Sequence, residues 1–328
     1  MSELHATTAD TSPIRQLADR VRGLKSRVLD EVARVVVGME GVTEQLLIAL
    51  LANGHVLLEG VPGVAKTTLS KAFARILGGQ YQRIQFTPDL LPSDVTGTYV
   101  FDRKSNEFAL RKGPIFCQVL LADEVNRAPA KTQSALLEAM QENQVTIEGT
   151  TLSLPRPFLV LATQNPVEQE GVYRLPEAQL DRFLLRVPMG YPGHDPEVAM
   201  LQLLSKPIQE PSQLLRPEEI LDLQSQLPSV FAAETLLHYI VALAEASRSH
   251  ADVALGASPR AALCLLRCAR ARALLDGRHY CTHEDVQAVA LGVLAHRLIV
   301  RPEAEIEGKH VGDVVKELLA KVPVLEAV

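Results

Sequence analysis

His55-Val-Leu-Leu-Glu-Gly60-Val-Pro-Gly63-Val-Ala-Lys66-Thr67-Thr68 is the stretch on which the reading of this chain turns. A short apolar run ends in a glycine-rich loop, and a lysine and two threonines then open a helix. Backbone N–H groups in such a loop point at an anion, and the dipole of the helix that follows favours it. The spacing is that of a loop cradling nucleotide phosphates, with Lys66 on the β- and γ-phosphates and the Thr67 hydroxyl on Mg²⁺. One position departs from the pattern G-x-x-x-x-G-K-[ST]: Ala65 stands where it asks for glycine.

Val119-Leu-Leu-Ala-Asp123-Glu124 is an apolar strand ending in two carboxylates. Asp123 at the strand tip is placed to hold the Mg²⁺ shell, and Glu124 to polarise the attacking water. Phe158-Leu-Val-Leu-Ala-Thr163-Gln-Asn165-Pro166 is a second such strand with an amide at its tip. Asn165 either positions water against the γ-phosphate or makes an Asx-turn before the proline. Arg182 precedes another apolar strand. A delocalised guanidinium suits the charge that phosphoryl transfer builds on the equatorial oxygens; the plain alternative is a pair with Glu177 or Asp181. Arg260, after Ser258-Pro259, sits in the first turn of a helix. The dipole disfavours a cation there, so Arg260 needs an anionic partner, a phosphate or a carboxylate.

Around these residues the pattern alternates. Strands at Val56–Glu59, Gln82–Phe86, Val119–Asp123, Leu159–Thr163 and Phe183–Val187, all but the second apolar, are separated by helices at Thr67–Leu77 and Pro129–Asn143, which argues for a parallel sheet with helices on both faces. Two hairpins interrupt it, Thr98–Phe101 with Glu107–Leu110, and Gln144–Ile147 with Thr151–Leu154. Beyond Tyr191-Pro-Gly-His-Asp-Pro196 strands vanish. Six helical segments follow, with Ser258 as an N-cap and Thr282-His-Glu-Asp285 as a capping box. The expected division is an arm at 1–11, an α/β core at 12–190 and an all-helical part at 191–328.

The 328 residues carry a net charge of −6, which argues against a dominant nucleic-acid footprint. No apolar run is long enough to cross a membrane and the N-terminus lacks the apolar core of a signal peptide, so a cytoplasmic address is expected. The four cysteines, at 117, 264, 268 and 281, have no disulfide spacing. His279, Cys281 and His283 mimic part of a zinc cluster, but a tetrahedral site needs a fourth ligand.

Gly60–Thr68, Ala122–Arg127, Ala162–Pro166, Leu175–Phe183 and Gly256–Ala261 together resemble the signature blocks of the MoxR family of AAA+ ATPases. Val37-Gly38-Met39-Glu40 is similar to the block that lies near the adenine in AAA+ proteins. The family carries alanine before the lysine, as here. The resemblance implies a P-loop AAA+ core, with hairpin inserts, followed by a helical lid. It implies ATP and Mg²⁺ as cofactors, held by Gly38 and by Gly60, Val61, Pro62, Gly63, Val64, Ala65, Lys66, Thr67 and Thr68, with Thr67 and Asp123 on the metal. Glu124 becomes the catalytic base and Asn165 sensor 1. Arg260 becomes sensor 2, closing over the chain's own phosphates from the lid. Arg182 becomes an arginine finger for a neighbour's nucleotide in a ring, a hexamer. The implied work is remodelling of protein complexes with partners bearing von Willebrand factor A domains. The rival is a nucleic-acid-translocating or chelatase-type motor of the same clade, against which the acidic charge and the scarcity of aromatics weigh.

Overall fold

The computed structural model describes residues 12–165, 173, 175–205 and 209–324. The arm expected at residues 1–11 and the Pro166 end of one signature block lie outside them. In chain order the elements are α1 (Ser12–Ala33), α2 (Glu40–Leu51), β1 (Val56–Gly60), α3 (Lys66–Ile76), β2 (Tyr81–Gln85), α4 (Pro92–Thr96), β3 (Gly97–Asp102), β4 (Glu107–Lys112), β5 (Val119–Asp123), α5 (Ala130–Glu142), β6 (Gln144–Ile147), β7 (Thr150–Ser153), β8 (Leu159–Gln164), α6 (Glu177–Leu180) and β9 (Leu185–Met189). Then come α7 (His194–Leu204), α8 (Pro217–Gln226), α9 (Glu234–Arg248), β10 (Val253–Leu255), α10 (Pro259–Leu275), α11 (His283–Leu294), β11 (Ile299–Val300), α12 (Pro302–Ile306) and α13 (Val311–Lys321).

Five strands form one parallel sheet in the order β2-β5-β8-β1-β9. Side chains alternate between its faces, and both faces are covered, which is why the inner strands β5, β8 and β1 read as nearly continuous apolar runs. Val56, Leu58, Val119, Leu121, Leu159 and Leu161 join the core formed with α1, α2 and α3. Leu57, Leu120, Ala122, Val160 and Ala162 face the other way, into a second core with Leu136, Leu137 and Met140 of α5. Burying each such side chain contributes about 1.5–3 kcal/mol. The two hairpins form separate antiparallel pairs, β3 with β4 and β6 with β7, outside the sheet.

The C-terminal part is helical, with one addition that the sequence pattern does not carry: β10 and β11 pair as a small antiparallel ribbon. The caps expected there are in place. Ser258 Oγ accepts from the Ala261 N–H at 3.3 Å, and Asp285 Oδ2 accepts from the Thr282 N–H at 2.8 Å. The first core continues without a break from the sheet into α9, α10 and α11. Helix α1 takes part in that junction, because Lys25 Nζ donates to Asp276 Oδ1 at 2.9 Å, just beyond the end of α10. Among the described residues no helix is long and apolar enough to cross a membrane.

Candidate functional site

The phosphate-type loop leaves the carboxyl end of β1 and returns as the first turn of α3. Its glycines have separate tasks. At Gly60 a Cβ would collide with the Met189 carbonyl of the neighbouring strand, and Gly63 holds φ at +88°, in the left-handed region. Ala65 stands at the N-cap of α3 with φ 58° and ψ 21°, the same left-handed region, which costs a residue with a Cβ about 1–2 kcal/mol. Thus the position where the pattern asks for glycine does take the conformation glycine prefers, and alanine adopts it. Val64 is buried beneath the loop, whereas Pro62, Thr67 and Thr68 are exposed. Lys66 Nζ donates to the Gly60 carbonyl at 2.7 Å, so its ammonium curls back over the loop.

Beside the loop lies a cavity of about 590 Å³, walled by Val35, Val36, Gly63, Ala65, Thr68, Tyr81 and Met200. It joins the end of α1 to the start of α3. Gly38 lies two residues beyond Val36, in the turn before α2 and against Pro196.

At the neighbouring strand tips two carboxylates are held in place by residues from two strands and from the turn that follows β5. Thr163, fully buried in β8, donates its hydroxyl to Asp123 Oδ1 at 2.6 Å and accepts the Glu124 N–H at 2.8 Å. One threonine therefore fixes both acids. Arg83 of β2 donates to Asp123 Oδ2 through Nη2 at 2.6 Å, and to Gln85 Oε1 at 2.6 Å. Gln85 Nε2 in turn donates to Glu124 Oε2 at 2.7 Å, where Arg127 Nη1 also donates at 3.0 Å. Glu124 itself stands at φ 56°, backbone strain of the kind that collects at functional sites. Asn165 is buried one residue beyond the end of β8, and the neighbouring Gln164 Oε1 is buried without a hydrogen-bond partner among the described residues.

Arg182 and Arg260 are elsewhere. Both line a cleft of about 210 Å³ with Asn53, His55, Asn143 and Asp181. His55 precedes β1, and its carbonyl accepts the Leu184 N–H at 2.8 Å. The cleft is therefore at the amino end of the parallel sheet, one strand length, roughly 15 Å, from the loop. The expectation that Arg260 closes over the chain's own phosphates does not hold. Helix α10 begins at the far end of the sheet, and the anion nearest Arg260 is Asp181 Oδ2, 3.9 Å from its Nη1. Asp181 is also the partner of Arg297, with Nε donating to Oδ1 at 2.7 Å. Among the described residues Arg182 has no ion-pair partner, so its pairing with Glu177 or Asp181 is not made.

Thr163, Arg83, Gln85 and Arg297 stand outside the site residues legible from motif and spacing. Thr163 did carry a signal, as a lone hydroxyl inside an apolar strand. The other three matter only through strand and helix neighbours.

Residues 55–185 match the family model described as the ATPase family associated with various cellular activities (AAA), and residues 245–318 match the AAA lid domain. The chain is 47% identical over 305 residues to the protein YeaC of Bacillus subtilis (strain 168), covering 92% of this chain and 95% of that one. It is 46% identical over 297 residues to the chaperone MoxR1 of Mycobacterium tuberculosis, covering 88% of this chain and 78% of that one. A crystal structure of a candidate ATPase from Cytophaga hutchinsonii superposes with a TM-score of 0.89 at 42% identity, covering 95% of this chain and 98% of that one. On identity of 46–47% over most of its length to these relatives, with the AAA and lid models both matched, the chain belongs to the MoxR family of AAA ATPases.

Proposed function

We propose that this protein binds and hydrolyses ATP with Mg²⁺ in a ring of identical subunits, a hexamer, and uses the cycle as a cytoplasmic chaperone that remodels protein complexes. The observation that carries the reading is the division of the charged residues between two ends of one sheet. The loop, Asp123 and Glu124 lie at the carboxyl end, while Arg182 and Arg260 lie at the amino end. A complete site is then assembled from two copies, the first supplying the loop and acids and the second the arginines.

The residues suit the groups proposed. The Thr67 hydroxyl and Asp123 carboxylate are hard oxygen donors of the kind Mg²⁺ takes, and the start of α3 offers N–H groups to phosphate. The largely apolar cavity beside Ala65 is large enough for a base and ribose. Mg²⁺, when bound, neutralises charge on the β- and γ-phosphates. Lys66 pairs with the same oxygens. Glu124 takes the proton of the attacking water, which Asn165 orients, and Gln85 and Arg127 hold its carboxylate until then. Arg182 and Arg260 of the next copy meet the charge that develops on the γ-phosphoryl group.

Domain roles follow the same division, with a nucleotide core at 12–190 and a lid at 191–328. The β3–β4 hairpin exposes Val100, Phe101 and Phe108 beside Arg103 and Lys104, a surface suited to a client. The name of the mycobacterial relative supports the chaperone role, and proteins with von Willebrand factor A domains are the proposed partners.

Glu124→Gln is expected to bind ATP but to lower kcat by about 100- to 10,000-fold. Arg182→Ala is expected to lower kcat by 1,000-fold or more, roughly the worth of an arginine finger, with nucleotide affinity kept. Mixing Arg182→Ala with Lys66→Ala subunits should recover part of the rate, measured as phosphate release. Parental turnover by Glu124→Gln would remove the base assignment, and no recovery on mixing would remove the shared site.

A further inference from the structure

Arg297 lies three residues past the end of α11, with 2% of its side chain exposed. Its Nε donates to Asp181 Oδ1 at 2.7 Å. Nη2 donates to the carbonyls of Phe183 at 2.6 Å and Asp181 at 3.2 Å, and Nη1 to that of Leu184 at 3.2 Å. Two further bonds, from Nη1 to the Val293 carbonyl at 2.5 Å and from Nη2 to Cys264 Sγ at 3.6 Å, tie the guanidinium to its own helix and to α10. Next to it His296 Nε2 donates to the Phe183 carbonyl at 2.9 Å. Burial, and then the charge of Arg297, push the His296 pKa down to about 3, so the imidazole is neutral with its proton on Nε2.

The bonds go to backbone on both sides of a single residue, Arg182. A side chain whose flanking carbonyls are pinned at 181, 183 and 184 leaves the protein in a set direction. The Asp181 carboxylate, fixed by Arg297, is also the one that Arg260 approaches. A rigid five-donor fork suits this task, and a lysine could not reproduce it.

The geometry points to Arg297 as the positioning residue for the arginine pair at the amino end of the sheet. It fixes Arg182 directly through the backbone and Arg260 indirectly through Asp181, so that both are presented together to a second copy. This inference rests on the proposed reading that Arg182 acts across a subunit boundary. It adds that the helical half holds the finger in place, so that movement of α11 is felt at a neighbour's nucleotide.

The test exploits direction. In a mixture of Lys66→Ala and Arg182→Ala subunits, the productive pairing places the loop of the second beside the intact Arg182 of the first. Arg297→Gln added to the Lys66→Ala chain should abolish the recovered turnover, by about 100-fold for a displacement near 1 Å. The same change added to the Arg182→Ala chain should leave the recovery in place, because that chain contributes its other end. Asp181→Asn, a milder change at a partly exposed carboxylate, should show the same asymmetry should Arg297→Gln fail to fold. Arg297→Lys should not restore the rate. In every variant chain that keeps Lys66 the affinity for a fluorescent ATP analogue should stay at the parental value. Equal loss in both placements would make Arg297 a general structural staple and overturn the inference, as would equal recovery in both. Absence of recovery in the parent mixture would instead sink the shared-site reading, and this inference with it.

Discussion

Ala65 shows how much a single residue can report. From the sequence it was a departure from the phosphate-loop pattern, and in the fold it holds the left-handed conformation that glycine would take more readily. Replacing it with glycine removes about 1 kcal/mol of steric cost but loosens the unfolded chain by a similar amount. Ala65→Gly should therefore alter stability by less than about 1 kcal/mol, toward the stable side, whereas Ala65→Val should lose about 2 kcal/mol in urea denaturation. The loop and its acids were legible because each is local: Gly60 to Thr68 are contiguous, and Asp123 and Glu124 adjoin an apolar run. The bonds to those acids were not. Arg83 reaches Asp123 only because β2 lies beside β5, and no spacing along the chain records that.

Elements were legible to within about two residues wherever the apolar period was long. The exceptions have physical causes. Strand β9 was expected from Phe183 but pairs with β1 only from Leu185, because His296 and Arg297 draw the Phe183 carbonyl away from the sheet. Helix α11 stops at Leu294, since the residues beyond it turn to make those same bonds. The β10–β11 ribbon is too short for a period-two pattern to register. Two buried imidazoles tie elements together and should leave a mark on stability. His55 Nε2 donates to the Met140 carbonyl at the end of α5, at 2.9 Å, while its Nδ1 accepts the Val160 N–H of β8 at 3.1 Å. Burial pushes its pKa down to about 4, and that of His296 to about 3. The unfolded chain takes up these protons near pH 6.5 and the folded one does not, so stability is present at neutral pH and falls as pH drops below 6.5. Each imidazole should cost about 2 kcal/mol by pH 5. Urea midpoints between pH 7 and 5 should show the slope, and His55→Asn should flatten it by about half.

At the scale of the molecule the parallel sheet with two covered faces was legible, from the alternation of strand and helix. The strand order was not, nor was the position of α10, and that is why Arg260 was expected at the wrong end. A helix start identifies a charged first turn but not the partner across the fold. Apolar packing also ignores the break at Tyr191. Leu17, Val21, Leu24 and Val28 of α1 share one core with Leu265, Cys268 and Leu275 of α10. Heating should accordingly give one cooperative transition in calorimetry, and two separate transitions for 12–190 and 191–328 would contradict the shared core.

The contact between α1 and α10 also sets an order of events at the ribosome. Lys25 and its partner Asp276 are 251 residues apart, and at about 5–20 residues per second that distance takes roughly 13–50 s to translate. Through that interval the apolar stripe of α1 has α2 and α3 to lean on but not α10. The nascent chain therefore carries exposed hydrophobic surface from the synthesis of α1 until that of α10, and a folding helper that binds such surface has its longest opportunity there.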